Sequence, residues 1–322
     1  MEKIQIPEDV YDMVIIGGGP AGLTAGLYTA RAGFKVLLIE GTAAASQITV
    51  TDMIENYPGF PEGIGGFELV EKFKKQSVQF GLELIMADVH TLAAGQWSDV
   101  KGWEVTTDSG VYGALAVIVA TGTQWRKLDV PGEETYLGKG VSYCATCDGP
   151  FYRNRDVVVA GGGDTAIQEA LFLTNFAKKV TVVHRRDRLR ATDILQKRAF
   201  ANEKIAFQWR SVIEEISGGN FVEKIRVRDV DQKDSVTEIP AEGIFIFIGT
   251  TPKTDLLRGI CELDENGYVI TNSHMQTSAK GIFACGDCIQ KLLRQVVTAC
   301  GDGATAAHAA QLYVEDLKGE AY

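Results

Sequence analysis

Cys144 and Cys147 stand in the run VSYCATCDGPFY, with Asp148 directly after the second sulfur. A C-x-x-C pair closes a disulfide readily, and at a helix start the dipole and unpaired backbone N–H groups favour the thiolate. A neighbouring carboxylate can carry the proton that a dithiol gains or loses. Cys144, Cys147 and Asp148 are therefore a candidate redox centre. The same spacing also suits half of a structural zinc site, or two small buried thiols. Zinc would need further ligands, and no C-x-x-C with an adjacent His lies nearby. No metal is expected.

Such a centre needs elements to carry it. The apolar run 12–16 enters GGGPAG, the small-residue stretch 23–32 predicts a helix, and KVLLIE predicts a second strand. Gly17, Gly19 and Gly22 fit G-x-G-x-x-G: a tight turn, close approach of backbone to a pyrophosphate, and packing of helix on strand. The phosphates would sit on the helix N-terminus. Glu40 ends the second strand, where an acid accepts hydrogen bonds from ribose hydroxyls and disfavours a 2′-phosphate. Residues 43–66 read as a long loop, 67–80 as an amphipathic helix, 82–92 as a strand, and GWEVTTDSGVYG as a hairpin turning at 108–110. A buried return strand over 117–120 ends in Thr121-Gly122.

The plan then restarts. A strand over 156–160 enters GGGDTA, a helix is predicted over 165–177, and KVTVV leads to His184. Gly161, Gly163 and Ala166 give G-x-G-x-x-A, with Asp164 and Thr165 between them, and His184 follows Gly161 at the spacing by which Glu40 follows Gly17. Here His184, Arg185, Arg186 and, a little further on, Arg190 replace the acid with cations, which suits the 2′-phosphate of NADP. Antiparallel strands near 207–216, 222–230 and 236–248 close the second copy as the hairpin closes the first. Thr250-Thr251-Pro252 leads out as 123–126 leads in. Beyond it, GYVITN and GIFACGD read as strands, Asp287 is placed to bond a ribityl or phosphate-proximal hydroxyl, and Arg294-Gln295 precede a long small-residue helix over 296–317. The first domain lacks its final strand, so this segment belongs to it.

The expected fold class is α/β: two Rossmann-like dinucleotide-binding domains, the second inserted into the first, each with an antiparallel β-meander. The expected boundaries are 1–124 with 252–322 for the first domain and 125–251 for the second.

With 322 residues, 45% of them hydrophobic, the chain can fill two cores. A net charge of −10 argues against nucleic acid or an anionic membrane as the main partner. The start, MEKIQIPEDVYD, has no basic segment followed by an apolar run, and no stretch approaches about 18 uninterrupted apolar residues. A cytoplasmic protein is expected. In a reducing compartment six cysteines do not make a disulfide framework, which favours catalysis for the C-x-x-C pair.

Both glycine fingerprints, the HRR cluster, CATCD and GIFACGD, in this order, resemble the low-molecular-weight, bacterial-type thioredoxin reductases over nearly the whole length. The resemblance implies FAD on the first domain, held through Gly17, Gly19, Pro20, Ala21, Gly22, Glu40, Gln47, Asn56, Thr121, Gly122, Asp287, Arg294, Gln295 and Val296. It implies NADPH on the second, held by Gly161, Gly163, Asp164, Thr165, His184, Arg185, Arg186 and Arg190. It also implies a homodimer, with Cys147 facing the flavin, Cys144 exchanging with thioredoxin or a thioredoxin-like protein, and Asp148 as general acid. Because the nicotinamide site and the dithiol share one domain and the flavin lies on the other, the second domain is expected to rotate between half-reactions.

Ala45 and Ser46 stand where that family usually has two glycines before Gln47, and Cys285, Cys288 and Cys300 where it more often has small apolar residues. Cys285 and Cys288 form a second C-x-x-C, read as small buried packing. A dithiol oxidase or a ferredoxin-dependent reductase of similar fold would not need the arginine cluster, and a redox-sensing module would show no turnover.

Overall fold

The computed structural model describes residues 7–42, 46–51, 53–97, 100–232 and 234–319. The chain divides into two compact units, Met1–Gln124 with Thr251–Tyr322, and Trp125–Thr250.

The first unit opens with β1 (Tyr11–Ile16), α1 (Pro20–Arg31) and β2 (Val36–Glu40), then α2 (Gly66–Val78), β3 (Glu83–Met86), β4 (Val89–Trp97), β5 (Val100–Thr107) and β6 (Gly110–Val119). Strand β6 has two roles. Its first half pairs antiparallel with β5, and its second half runs parallel to β1, Ile15 opposite Ile118. The meander and the parallel sheet are thus one sheet, in the order β3-β2-β1-β6-β5-β4 among the described residues. Strand β1 reads MVII from Met13 because it is covered on both faces, and Met13, Val14 and Ile15 are fully buried. Each such side chain contributes about 1.5–3 kcal/mol relative to an exposed one.

The chain leaves through β7 (Thr123–Trp125) and builds the second unit from β8 (Val141–Ser142), the short α3 (Ala145–Asp148), β9 (Asp156–Ala160), α4 (Asp164–Leu173), β10 (Lys179–Val183), α5 (Asp193–Phe200), β11 (Ile205–Gln208), β12 (Ser211–Gly218), β13 (Val222–Asp229), β14 (Val236–Pro240) and β15 (Gly243–Ile246). Its parallel sheet runs β11-β10-β9-β15-β8, with a separate antiparallel sheet β12-β13-β14. The chain returns through β16 (Thr250–Pro252), which pairs with β7. It then adds β17 (Ile282–Ala284) beside β6 and ends in α6 (Val296–Lys318). The buried face of α6, with Ala299, Gly303, Ala306, Ala307 and Ala310, is small enough for α1 to pack closely against it.

Several expected strands divide. The run 82–92 breaks at the buried Ala87, whose N–H donates to the Glu40 carbonyl, so β3 joins the parallel sheet and β4 the meander. The run 207–216 breaks at Arg210, which takes φ 53° and turns the chain from one sheet into the other. Likewise 236–248 contributes β14 to the antiparallel sheet and β15 to the parallel one. GYVITN is not a strand: Val269 makes only isolated bridges to Leu263 and Ile289. The helix expected over 165–177 stops at Leu173 and passes into a turn.

The segment that enters the second unit is pinned by a buried carboxylate. Glu133 is 2% exposed, and its oxygens accept from the N–H groups of Leu128 (2.8 Å) and Asp129 (2.7 Å) and from the Tyr143 hydroxyl. Burial, then Glu133, pushes the Tyr143 phenol well above its ordinary range. Tyr143 precedes Cys144, so this carboxylate fixes the approach to the dithiol. Glu133→Ala would leave three donors unpaired and should cost about 3 kcal/mol, with Tyr143→Phe costing less than half of that. Urea-dependent hydrogen exchange in β9 and β15 reads both; equal, negligible losses would show that the carboxylate is not holding the segment.

Candidate active site

Strand β8 delivers the chain to the dithiol. The Cys144 N–H donates to Ser142 Oγ (3.0 Å), and Ser142 Oγ–H donates back to the Cys144 carbonyl (3.2 Å). Cys144 is the N-cap of α3, and its sulfur accepts from the Cys147 N–H at 3.1 Å. The Asp148 N–H donates to the Cys144 carbonyl, closing the turn. Ala145, fully buried, anchors α3 in the core. Cys144 and Cys147 are joined in a disulfide, with Cα atoms 5.4 Å apart. Cys147 is exposed and Cys144 half-buried. An incoming thiol can reach this bond from solvent.

The two glycine turns are built alike. Gly17 has φ 120° and a Cβ there would lie 2.2 Å from the Ala120 carbonyl oxygen; Gly161 has φ 145° and its Cβ would lie 2.3 Å from that of Phe247. Both contacts are to the strand that returns beside the first strand of the unit. A Cβ on Gly18 would strike the Glu40 side chain at 2.7 Å, and one on Gly162 the His184 ring at 2.5 Å. Glu40 and His184 therefore occupy the same place in the two copies.

These sites fit dinucleotides on three observations. Helices α1 and α4 begin at Gly19 and Gly163 without a side-chain cap, leaving their first N–H groups free for phosphate. Space above both glycines is open: a Cβ would meet only Ser46 Oγ at 3.5 Å and Arg190 at 4.0 Å. Two buried polar atoms, Asp287 Oδ1 and His184 Nε2, have no hydrogen-bond partner.

Around the first turn the structure gathers Glu40, whose carboxylate pairs with Lys74 at 2.8 Å, and Gln47, whose amide donates to Thr123 Oγ1 (2.9 Å) and to the Thr123 carbonyl (2.7 Å). Asn56 donates to Gln295 Oε1 (2.8 Å), and Gln295 caps α6 in a reciprocal pair with Thr298, one residue before Val296. Thr121 donates to the Lys253 carbonyl (2.6 Å), and Arg294 donates to the carbonyls of Asp287 and Ile289 with its guanidinium over the Tyr268 ring. Pro20 and Ala21 form the first turn of α1. Gly122 takes φ 64° at the end of the return segment. Ser46 lies beside Gly19, whereas Ala45 lies outside the described residues.

Around the second turn the basic cluster separates. Arg185 and Arg186 are exposed and, among the described residues, in no ion pair. Arg190 bends back, its N–H on the Gly162 carbonyl and its guanidinium above Gly163. His184 is buried, and burial, followed by Arg190, Arg186 and Arg185, pushes its imidazole below the ordinary value. It stands at the turn as a neutral group, where the sequence suggested a cation. Asp164 accepts from the Thr192 N–H (2.6 Å), and Thr165 follows it on α4.

The profile of the pyridine nucleotide-disulphide oxidoreductases matches residues 11–303. The chain belongs to that family. It is 47% identical to a thioredoxin reductase of Listeria innocua, over 97% of this chain and 96% of the relative, and 45% identical to one of Treponema pallidum, over 97% and 99%. Among solved structures, the thioredoxin reductase of Lactococcus lactis superposes with a TM-score of 0.90 at 45% identity, covering 95% of this chain and 99% of that one.

This family member also holds four thiols outside the disulfide. Cys285 and Cys288 are fully buried, and burial pushes both up, Cys285 well above an ordinary thiol. Cys300 and Cys261 are also pushed up, by burial first. None has the exposed, electropositive setting of a reactive thiolate. Several side chains that matter here escaped the sequence reading: Lys74, Thr123, Ser142, Glu133, Lys291 and Asp302. Thr123 and Lys74 act across the fold, and Ser142 and Glu133 act within their own segment through contacts that match no motif spacing.

In the folded, reduced protein, iodoacetamide should modify Cys147 first and leave Cys285 and Cys288 intact until the protein unfolds. Peptide mass mapping over time checks this order; early labelling of Cys288 would overturn the packing role.

Proposed function

We propose that the protein reduces the disulfide of thioredoxin, or of a thioredoxin-like protein, with electrons from NADPH passing through FAD to the Cys144–Cys147 disulfide. The observation that carries the reading is the coexistence, in one chain, of two glycine turns with opposite chemistry behind them and a closed, solvent-reachable C-x-x-C disulfide. The thioredoxin reductases that it resembles over almost their full length support it.

FAD is assigned to the first unit, where the acid Glu40 suits a plain ribose, and NADPH to the second, where Arg185 and Arg186 are free for a 2′-phosphate. FAD, when bound, accepts a hydride from NADPH and delivers an electron pair to a disulfide. The protein's own residues hold and direct this chemistry. Free N–H groups of α1 and α4 bind the pyrophosphates, Gln47, Asn56 and Gln295 orient the flavin end, and Arg190 covers the second phosphate turn.

Once Cys144 and Cys147 are reduced, the Cys144 thiolate attacks one sulfur of the partner disulfide and the other leaves as a thiol, with Asp148 relaying the proton. Cys147 then attacks Cys144 in the mixed disulfide. The Cys144–Cys147 bond re-forms as the partner departs as a dithiol, and the electron pair has moved from one dithiol to the other. Turnover includes rotation of the second unit about its crossing strands, and the working form is a cytoplasmic homodimer.

Cys147→Ser should leave bleaching of the flavin by NADPH intact and abolish reduction of thioredoxin. Retained thioredoxin reduction would remove Cys147 from the path. For cofactor choice, two charge-assisted contacts to the 2′-phosphate correspond to a preference for NADPH over NADH of about a hundredfold in kcat/KM. Arg185→Ala with Arg186→Ala should erase most of it, through a higher KM for NADPH and little change with NADH; a preference that survives the double substitution would show that the pair is only a solvated face.

A further inference from the structure

Between the end of β17 and α6 lies a largely enclosed lysine that neither the sequence motifs nor the site described above accounts for. The Lys291 side chain is 11% exposed, and its ammonium donates to Asp302 Oδ2 at 2.6 Å. It also stands 3.4 Å from Thr298 Oγ1 and 3.6 Å from Asp287 Oδ1. Thr298 Oγ1 accepts from the Gln295 N–H, so one ammonium touches both the Asp287 carboxylate and the helix turn that carries Gln295. Taking an ammonium out of water is costly unless opposite charges and hydrogen bonds offset it. Asp302 alone would satisfy that need. What Asp302 does not explain is why Asp287 Oδ1 is left buried, without a hydrogen bond, just beyond hydrogen-bonding reach of the same ammonium.

We propose that Lys291, locked in place by Asp302, is a positioning residue of the FAD site that holds Asp287 as a charged, open acceptor for a hydroxyl of the flavin side chain. The inference rests on the assignment of FAD to the first unit. The charges facing Asp287 come from its own loop, where Lys291 and Arg294 stabilise the carboxylate, and from α6, where Asp302 opposes it. The adjoining Cys288 thiol is neutral, because burial pushes it up. Burial likewise pushes the Asp287 carboxyl up, and Lys291 is the largest opposing influence. Without the ammonium the carboxyl would protonate at a higher pH. A protonated Asp287 loses acceptor capacity, so its contribution to FAD affinity is present at high pH and lost as pH falls.

The test is FAD dissociation from the intact holoprotein, read by fluorescence of released flavin as pH is lowered from about 8 toward the ordinary carboxyl range. Lys291→Met should bind FAD about tenfold more weakly than the native chain at the upper end, with the deficit widening as pH falls. Lys291→Arg should restore most of the affinity. In an Asp287→Asn background, Lys291→Met should add no pH-dependent loss. A Lys291→Met protein that binds FAD normally, or one weakened equally at every pH and with or without Asp287, would overturn the proposal while leaving the FAD assignment standing. Should Lys291→Met not fold, Lys291→Gln with and without Asp287→Asn decides by the same comparison. A native protein that carries no flavin would overturn the FAD assignment itself.

Discussion

Each unit depends on a backbone contact that has no room for a side chain. At the end of the first strand the chain must turn into a helix while lying against the carbonyl of the returning strand: Gly17 against Ala120, and Gly161 against Phe247. A Cβ at either place would sit inside van der Waals contact, and both residues take a positive φ that side chains resist. That contact brings the strand end, the helix start and the second-strand terminus to one point. Everything that binds or orients a ligand is then hung from it: the uncapped helix N-termini, the residue behind the middle glycine, and the return segment that holds Gln47 through Thr123.

The same scaffold is given different chemistry by what stands behind the turn. In the first unit it is a carboxylate shared with Lys74, in the second a buried, neutral imidazole with arginines outside it. Desolvation, with the neighbouring arginines adding to it, lowers His184, so the positive field at the second turn comes from guanidiniums that cannot lose their protons. On the proposed assignment, one turn would tolerate a ribose and repel an extra phosphate, and the other would attract one. The disulfide sits on the unit with the positive turn, its α3 seated by Ala145 and its approach fixed by Glu133.

Much of this was legible in the residues because the glycine turns, the strand after each helix and the C-x-x-C pair are local patterns with fixed spacing. Where the reading failed, the decisive contact was distant. An apolar run such as 207–216 has the same alternation whether it stays in one sheet or changes sheets at Arg210, and nothing in its composition marks the turn. GYVITN has strand composition, yet no neighbouring strand accompanies it beyond Val269. His184 belongs to a basic run by sequence and to the core by structure. Lys291 and Asp302 meet only because α6 folds back beside the loop, so no motif spacing could join them.

The central claim is that the flavin site, the nicotinamide site and the Cys144–Cys147 disulfide form one electron path. Anaerobic titration of the oxidised holoprotein with NADPH, followed at the flavin band and then by addition of oxidised thioredoxin, tests it most directly. The account predicts uptake of an electron pair for the flavin and a further pair for the disulfide, and recovery of the yellow colour when thioredoxin is added. Uptake of the flavin's pair alone, with no reoxidation by thioredoxin, would contradict it.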